Sequence, residues 1–327
     1  MVYAKISGLA SYLPDDILDN YMLSQMVDTN DEWITTRVGI KQRHILKKKN
    51  AGSSYMGIQA VKKLLKSTKT KASEIDLLIC ATSNPDFRFP STASIIAGEC
   101  GLRKAYAYDI QAACAGFLVA MQDAAAYIRS QMYKKVIIVA AEKMSSMVNY
   151  EDRATCPLFG DGAGAMLIEP SDRREGIIDG VFHVDHDGVE HLWMPGGGSV
   201  LPASKATVEK GLHYVIQDGP VVYKNAVIDM LDSSEEIMKR NRLKVDDIDW
   251  FVPHQANRRI IEAVAKRIGI AEKKVLINIE KVGNTSAASI PICLDDHRAI
   301  LKKGDRVILT AFGAGFTWGA VYVIWSC

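Results

Sequence analysis

Several features that a chain of 327 residues often carries are missing from this one. Its six cysteines, Cys80, Cys100, Cys114, Cys156, Cys293 and Cys327, include no C-x-x-C pair and none at zinc-like spacing from a histidine. A redox dithiol and a structural zinc module are therefore not encoded. A chain of this length needs no disulfides, and scattered free thiols fit a reducing cytoplasm. There is no excess of one charge: 40 Lys and Arg stand against 38 Asp and Glu. Bulk attraction to nucleic acid or to an anionic membrane is not expected, so any basic site is local. Aromatic residues are scattered, without the basic-aromatic ladder of a single-strand binder. No apolar run has the length of a membrane span, and the N-terminal run is too short for a signal peptide. The glycine-rich stretch Met194–Ser199 reads as a flexible loop and lacks the Lys-Ser/Thr of a phosphate-cradling loop. His183, His186 and His191 lie near Asp185, Asp187 and Glu190, but without the spacing of a helical metal motif. A polar loop is the reading preferred over a metal site.

What is present is core material. Hydrophobic residues make up 48% of the chain, ample for one or two α/β domains. Residues 1–10 read as a strand and Ser53–Ser67 as an amphipathic helix. Ile75–Thr82 and Lys134–Ala141 are apolar runs of strand length, as in a sheet covered on both faces. Thr36–His44 reads as a charged segment running on to the exposed lysines 47–49.

The chain also repeats itself. Glu74–Ile79 resembles Asp247–Val252, Lys134–Ile138 resembles Asp305–Leu309, and Phe159–Ile168 resembles the Phe312–Ile324 segment, at matching spacings. Two halves with one order of elements imply a duplicated α/β unit, divided as 1–172 and 173–327. Strands separated by helices predict mixed, mainly parallel sheets with helices over them. In this register Cys114 of the first half answers to a position near Asn284 of the second.

Three motifs carry chemistry. In Asp109–Phe117 a strand passes through small residues into an apolar helix, with Cys114 at the junction. The amides and dipole of a helix N-terminus would favour its thiolate; a buried structural thiol is the alternative. Pro253–Ile260 puts His254 at a strand end before a helix, although a lone histidine is usually a satisfied polar residue. Val282–Ser289 is a glycine turn with Asn284, whose plain reading is a capped turn. All three sit on small-residue turns at strand ends, which is hard to obtain by chance.

With Asn30–Ile34, Thr36–Ile40, Phe89–Ser91, Phe159–Ala165 and Ala311–Gly319, these motifs make the whole chain resemble β-ketoacyl-acyl-carrier-protein synthase III. The resemblance implies a thiolase-like fold of duplicated α/β halves in αβαβα layers, and a homodimer. It implies a decarboxylative condensation of an acyl-coenzyme A primer with malonyl-acyl-carrier protein, starting fatty-acid synthesis. Cys114 would be the acylated nucleophile, its thiolate favoured by the helix N-terminus and His254. His254 and Asn284 would stabilise the enolate, and the backbone N–H groups of Cys114 and Ala314 would hold the oxyanion. Ala314 replaces the middle residue of the family's usual glycine triplet, which would constrain its φ.

By the same resemblance Trp33 would stack on adenine, with Arg37, Arg153 and Asn257 nearby. Phe89 would bound an acyl pocket across the dimer. Lys224, Gln255, Ala256, Asn257, Arg258, Arg259, Lys266 and Arg267 would meet the acidic carrier protein; of these, Arg259, Lys266 and Arg267 recur on one helix face. No metal or redox cofactor is expected. A relative acting on another acceptor is the alternative within the fold. A papain-like protease lacks its local cysteine signature here, and retention of Cys, His and Asn argues against an inactive scaffold.

Overall fold

The computed structural model describes residues 2–327; Met1, at the start of the expected first strand, lies outside them. Nine strands form one hydrogen-bonded sheet. They are β1 (Tyr3–Tyr12), β2 (Leu77–Ala81), β3 (Tyr106–Ile110), β4 (Val136–Lys143), β5 (Asp161–Ser171), β6 (Gly176–Val184), β7 (Trp250–Pro253), β8 (Arg306–Gly313) and β9 (Thr317–Ile324). The main helices are α1 (Asp31–Val38), α2 (Ser53–Thr68), α3 (Thr92–Glu99), α4 (Gly116–Arg129), α5 (Gly219–Arg240), α6 (Arg258–Ile268) and α7 (Ser289–Asp296). The strand order is β7-β8-β9-β6-β1-β5-β4-β2-β3. It reads alike from its centre outwards, and the centre is one antiparallel pair, Ala4 opposite Ile177. The four residues linking β5 to β6 fall at the division expected between the halves. The missing counterpart of β3 is reduced to a single parallel bridge between Phe251 and Val275.

The layers follow from where apolar residues lie. Every residue of β2 is buried, as expected for a strand covered on both faces. Helices α2 and α3 cover the first half on one side, and α5 and α6 cover the second half on the other. Between them, α4 and α7 pack on strands of both halves, within one core that includes Phe117, Met121, Ile290 and Leu294. This is the αβαβα arrangement, with α4 and α7 as its central layer. Helix α4 is apolar around its first turns because it has no solvent face there.

The strand directions differ from the expected mainly parallel sheet. Only β2–β3, β2–β4 and β7–β8 are parallel; the remaining pairs of the sheet are antiparallel. Parallel neighbours need a long crossover, whereas β8 and β9 are joined by a short link that returns the chain, and β1 lies antiparallel to both β5 and β6.

The repeat register also moves. The 3-10 turns Ala113–Ala115 and Ser286–Ala288 lead into α4 and α7 with matching backbone angles. Ala113 (φ 44°) therefore answers to Ser286 (φ 51°), and Cys114 to Ala287 rather than to Asn284. The spacing agrees with this register, since Cys114 lies 38 residues after Asp76 and Ala287 lies 38 after Asp249; the pairing with Asn284, at 35, falls three residues short.

Candidate active site

The turns at the ends of β3 and β7, and the turn at Asn284, which forms an isolated parallel bridge with Phe159, open onto one cavity of about 930 Å³. Cys114, His254, Asn284, Ser286 and Ala314 line its depth, and Trp33, Arg37, Asn257 and Arg259 also line it. The first-half cysteine and the second-half histidine and asparagine are thus brought together, as expected from the duplicated pattern.

Each side chain is held in a defined orientation. His254 continues the β7–β8 ladder, its N–H donating to the Thr310 carbonyl at 2.8 Å. Its Nδ1 lies 2.6 Å from Ser289 Oγ, at the start of α7. A Ser289 hydroxyl donating there leaves the ring proton on Nε2. Burial pushes the imidazole down to about 3, so His254 is neutral. Asn284 is clamped by the Phe159–Gly160 segment: its N–H donates to Leu158 O at 2.8 Å, and its carbonyl accepts from Gly160 N at 3.0 Å. Its Oδ1 accepts from Ser286 N at 2.8 Å, which leaves the amide NH2 as the free donor. Arg43 braces this segment from below. It is fully buried and donates to Leu18 O, Asn20 Oδ1 and Pro157 O, so the supposed charged segment around it is partly interior.

Cys114 meets solvent only through the cavity. Burial pushes its thiol up to about 12, against the pull of a Ser286 hydrogen bond. The expectation that the helix end and His254 favour a resting thiolate is therefore corrected. Desolvation disfavours both the thiolate and the imidazolium, and the resting pair is neutral. Gly313, at the end of β8, comes so close that a Cβ there would lie 2.6 Å from the Cys114 nitrogen. The concern over Ala314 also dissolves. In this turn the positive φ belongs to Gly315, at 141°, and Ala314 is not among the residues with positive φ.

The remaining expected residues separate into groups. Arg153 lies over the Trp33 ring, 4.8 Å from its centroid, and pairs with Asp28 at 3.7 Å. Arg37 is exposed. Phe89 is 86% exposed and does not line the cavity of its own chain. Lys224, Arg259, Lys266 and Arg267 are exposed on the packed pair α5 and α6. Gln255 is not on this surface. It is wholly buried, donating to Pro253 O and Leu276 O and accepting from Asn278 N and Ile279 N. A glutamine carries donor and acceptor at once, so it can clamp two strands of backbone that a surface residue would leave apart. Ala256 lines the cavity, Asn257 caps α6 through Arg259 N at 2.9 Å, and Arg258 packs over Gly39 and pairs with Glu262 at 2.7 Å. The three loop histidines do not converge: His183 faces Glu236, His186 faces Asp187, and His191 faces Asp218. Asp185, His186 and Asp187 lie within mutual ligand reach but are exposed. The glycine stretch is tied down by Gly196 N to Leu212 O and Gly197 N to Leu201 O.

Sequence reading missed Glu142 and the roles of Ser286 and Ser289. Glu142 had one signal, an acid following six apolar residues in a strand that ends at Lys143.

A buried cysteine, a neutral histidine and an oriented amide around a deep cavity suit covalent acyl transfer, in a fold of the thiolase type. The family model described as 3-oxoacyl-[acyl-carrier-protein] synthase III matches residues 108–188, and its C-terminal counterpart matches residues 238–325. Beta-ketoacyl-[acyl-carrier-protein] synthase III 2 of Bacteroides thetaiotaomicron is 56% identical, over 99% of this chain and 97% of its own. The synthase III of Porphyromonas gingivalis is 52% identical over the same shares. The crystal structure of 3-oxoacyl-[acyl-carrier-protein] synthase III from Aquifex aeolicus is 40% identical, with a TM-score of 0.90 over 98% of this chain and 100% of that one. The chain belongs to the 3-oxoacyl-[acyl-carrier-protein] synthase III family, and it is an acyl-transferring condensing enzyme.

Proposed function

We propose that the protein condenses an acyl-coenzyme A primer with malonyl-acyl-carrier protein, releasing carbon dioxide and coenzyme A and initiating fatty-acid synthesis. The observation that carries this reading is the meeting of Cys114, His254 and Asn284 on one cavity in a member of this family. Cys114 attacks the thioester carbonyl, and the N–H groups of Cys114 and Ala314 hold the oxyanion. Coenzyme A leaves and malonyl-carrier protein enters. His254 Nε2–H and the Asn284 amide donate to its thioester oxygen as carbon dioxide departs, and the enolate carbon attacks the acyl group on Cys114. A neutral imidazole suits this role, since it donates without needing to bind a proton first. The leaving carboxylate supplies the carbanion, so these steps call for no metal or redox cofactor.

Substrate delivery extends the same reading. Adenine enters between Trp33 and Arg153, displacing the guanidinium outwards, with Arg37 and Asn257 along the remaining length of the coenzyme. The acidic carrier protein docks on Lys224, Arg259, Lys266 and Arg267. The protein works as a homodimer. Phe89 and Val200, 86% and 89% exposed, are apolar side chains with nothing to cover them in one chain, and Phe89 closes the partner's acyl pocket. The free thiols support a cytoplasmic location.

Intact-protein mass spectrometry with a panel of acyl-coenzyme A donors tests the reading. One acyl adduct is expected, on the peptide with Cys114, cleared by malonyl-carrier protein with release of carbon dioxide. An adduct elsewhere, or none with any donor, overturns it. Clearance only by another acceptor favours a specialised relative. His254→Ala and Asn284→Ala should slow decarboxylation far more than acylation.

A further inference from the structure

The mechanism above leaves one proton without a destination. Cys114 must lose it to become a nucleophile, and the neutral His254 is a poor acceptor in so buried a site. A second path is visible. Cys114 Sγ donates to Ser286 Oγ at 3.6 Å, and Ser286 Oγ donates to Glu142 Oε1 at 3.0 Å. The donors already point the way a proton would have to move. We propose that Ser286 and Glu142 form the relay that takes the Cys114 proton during acylation and returns it at the end of the cycle. This rests on Cys114 being the acylated nucleophile.

The carboxyl group is built into the site. Glu142 is wholly buried at the end of β4, and its oxygens accept from Ser83 N at 3.1 and 3.0 Å and from Thr82 Oγ1 at 3.3 Å. Among the described residues no cation is paired with it. The titratable neighbours that sense its charge are Cys80, on the adjoining strand β2, and Cys114 itself. From β5 the residue opposite is Gly162; Lys143 and Asp161, one step along, belong to the other face, where Asp161 binds Leu46 N and Ser145. The 286–288 turn contributes the Ser286 hydroxyl and no charge. Ser286 is held at a φ of 51° by its N–H bond to Asn284 Oδ1. A side-chain-bearing residue seldom adopts such an angle without surroundings that enforce it.

Charge conservation favours this path. Passing a proton from Cys114 through Ser286 to ionised Glu142 leaves one negative charge in the site before and after. Passing it to His254 would add two further charges, a thiolate and an imidazolium, in surroundings that solvate charge poorly. Burial raises Glu142 to about 7 and lowers His254 to about 3, which makes Glu142 the stronger base.

The step balances. In acylation the S–H proton moves to Ser286 Oγ while the Ser286 proton moves to Glu142. The Cys114 sulfur bonds the acyl carbon, and coenzyme A leaves as its thiolate, protonated by water at the cavity mouth. Glu142 is then a neutral acid when the enolate charge develops. When condensation breaks the Cys114–acyl bond, Glu142 returns the proton to the departing thiolate through Ser286.

The test follows Cys114 acylation by rapid quench and intact mass, with acetyl-coenzyme A, across a pH series. The wild-type rate should rise through a limb near pH 7, set by Glu142. Glu142→Gln and Ser286→Ala should lose that limb and acylate about a hundredfold more slowly at neutral pH. Decarboxylation of malonyl-carrier protein, which uses His254 and Asn284, should fall much less. Variants that keep the wild-type rate and limb overturn the relay, as does an equal loss in both steps with the limb in place. If Glu142→Gln does not fold, Ser286→Ala and the wild-type limb decide the matter. No Cys114 adduct in the wild type overturns the nucleophile assignment itself; equal adduct formation in all three proteins overturns the relay alone.

Discussion

At the scale of single residues, the site depends on close approach and on neutrality. Gly313 is the clearest case of the first. A methyl group there would meet the Cys114 nitrogen at 2.6 Å and the Ala113 Cβ at 3.1 Å, both part of the turn that aims the sulfur. Gly313→Ala should therefore slow acylation by about a hundredfold, because small displacements of a nucleophile are severely penalised. Rapid-quench mass spectrometry reads this directly, and an unchanged rate would mean that the turn yields freely. Neutrality is the second theme. Cys114, raised to about 12, and His254, lowered to about 3, both rest uncharged because their surroundings solvate charge poorly.

At the scale of elements, the segment from Pro253 to Arg267 carries two tasks that sequence position does not separate. Gln255 satisfies four backbone groups from inside, while Arg259, Lys266 and Arg267 face water. Gln255→Ala should cost about 3 kcal/mol in urea unfolding, by orphaning buried donors and acceptors. It should not alter the salt dependence of carrier-protein use. Arg259→Glu with Lys266→Glu should do the reverse: unfolding little changed, KM for malonyl-carrier protein raised, and the defect largest at low salt. An unchanged KM would leave that face merely solvated.

At the scale of the whole molecule, the two halves are one body. They share a sheet and a central core, so the site between them is preorganised by the same contacts that stabilise the fold. The buried acid makes this visible in the stability of the protein against pH. Folding raises Glu142 from 4.5 to about 7, so its stabilising contribution is full below the unfolded value and lost as pH rises through the folded one. His254, lowered on folding, acts with the opposite sign: its contribution is present above 6.5 and lost as pH falls towards about 3. Comparing wild type with Glu142→Gln cancels the histidine. Between pH 5 and 8 the variant should gain on the order of 2–3 kcal/mol relative to wild type, measured by urea unfolding. A constant difference would show that Glu142 titrates normally.

Much of this protein was legible before its structure. Element types, the duplication and the placing of Cys114, His254 and Asn284 on turns after strands follow from local patterns: apolar runs, small-residue turns and recurring order. Those signals act between near neighbours, so a chain carries them in its order of residues. Charge state and accessibility are different. Glu142 and Ser286 are 144 residues apart in sequence, and nothing local announces that one ends a buried strand where the other begins a turn. Gln255 and Arg259 are nearly adjacent, yet one is core and the other surface. Tertiary packing decided these, because desolvation depends on everything that surrounds a group, whatever its distance along the chain. The sequence by itself singled out Cys114, His254 and Asn284; only the folded structure decided that they meet on one cavity and rest uncharged, and that Ser286, Ser289 and the buried Glu142 stand beside them, because burial is set by the whole fold.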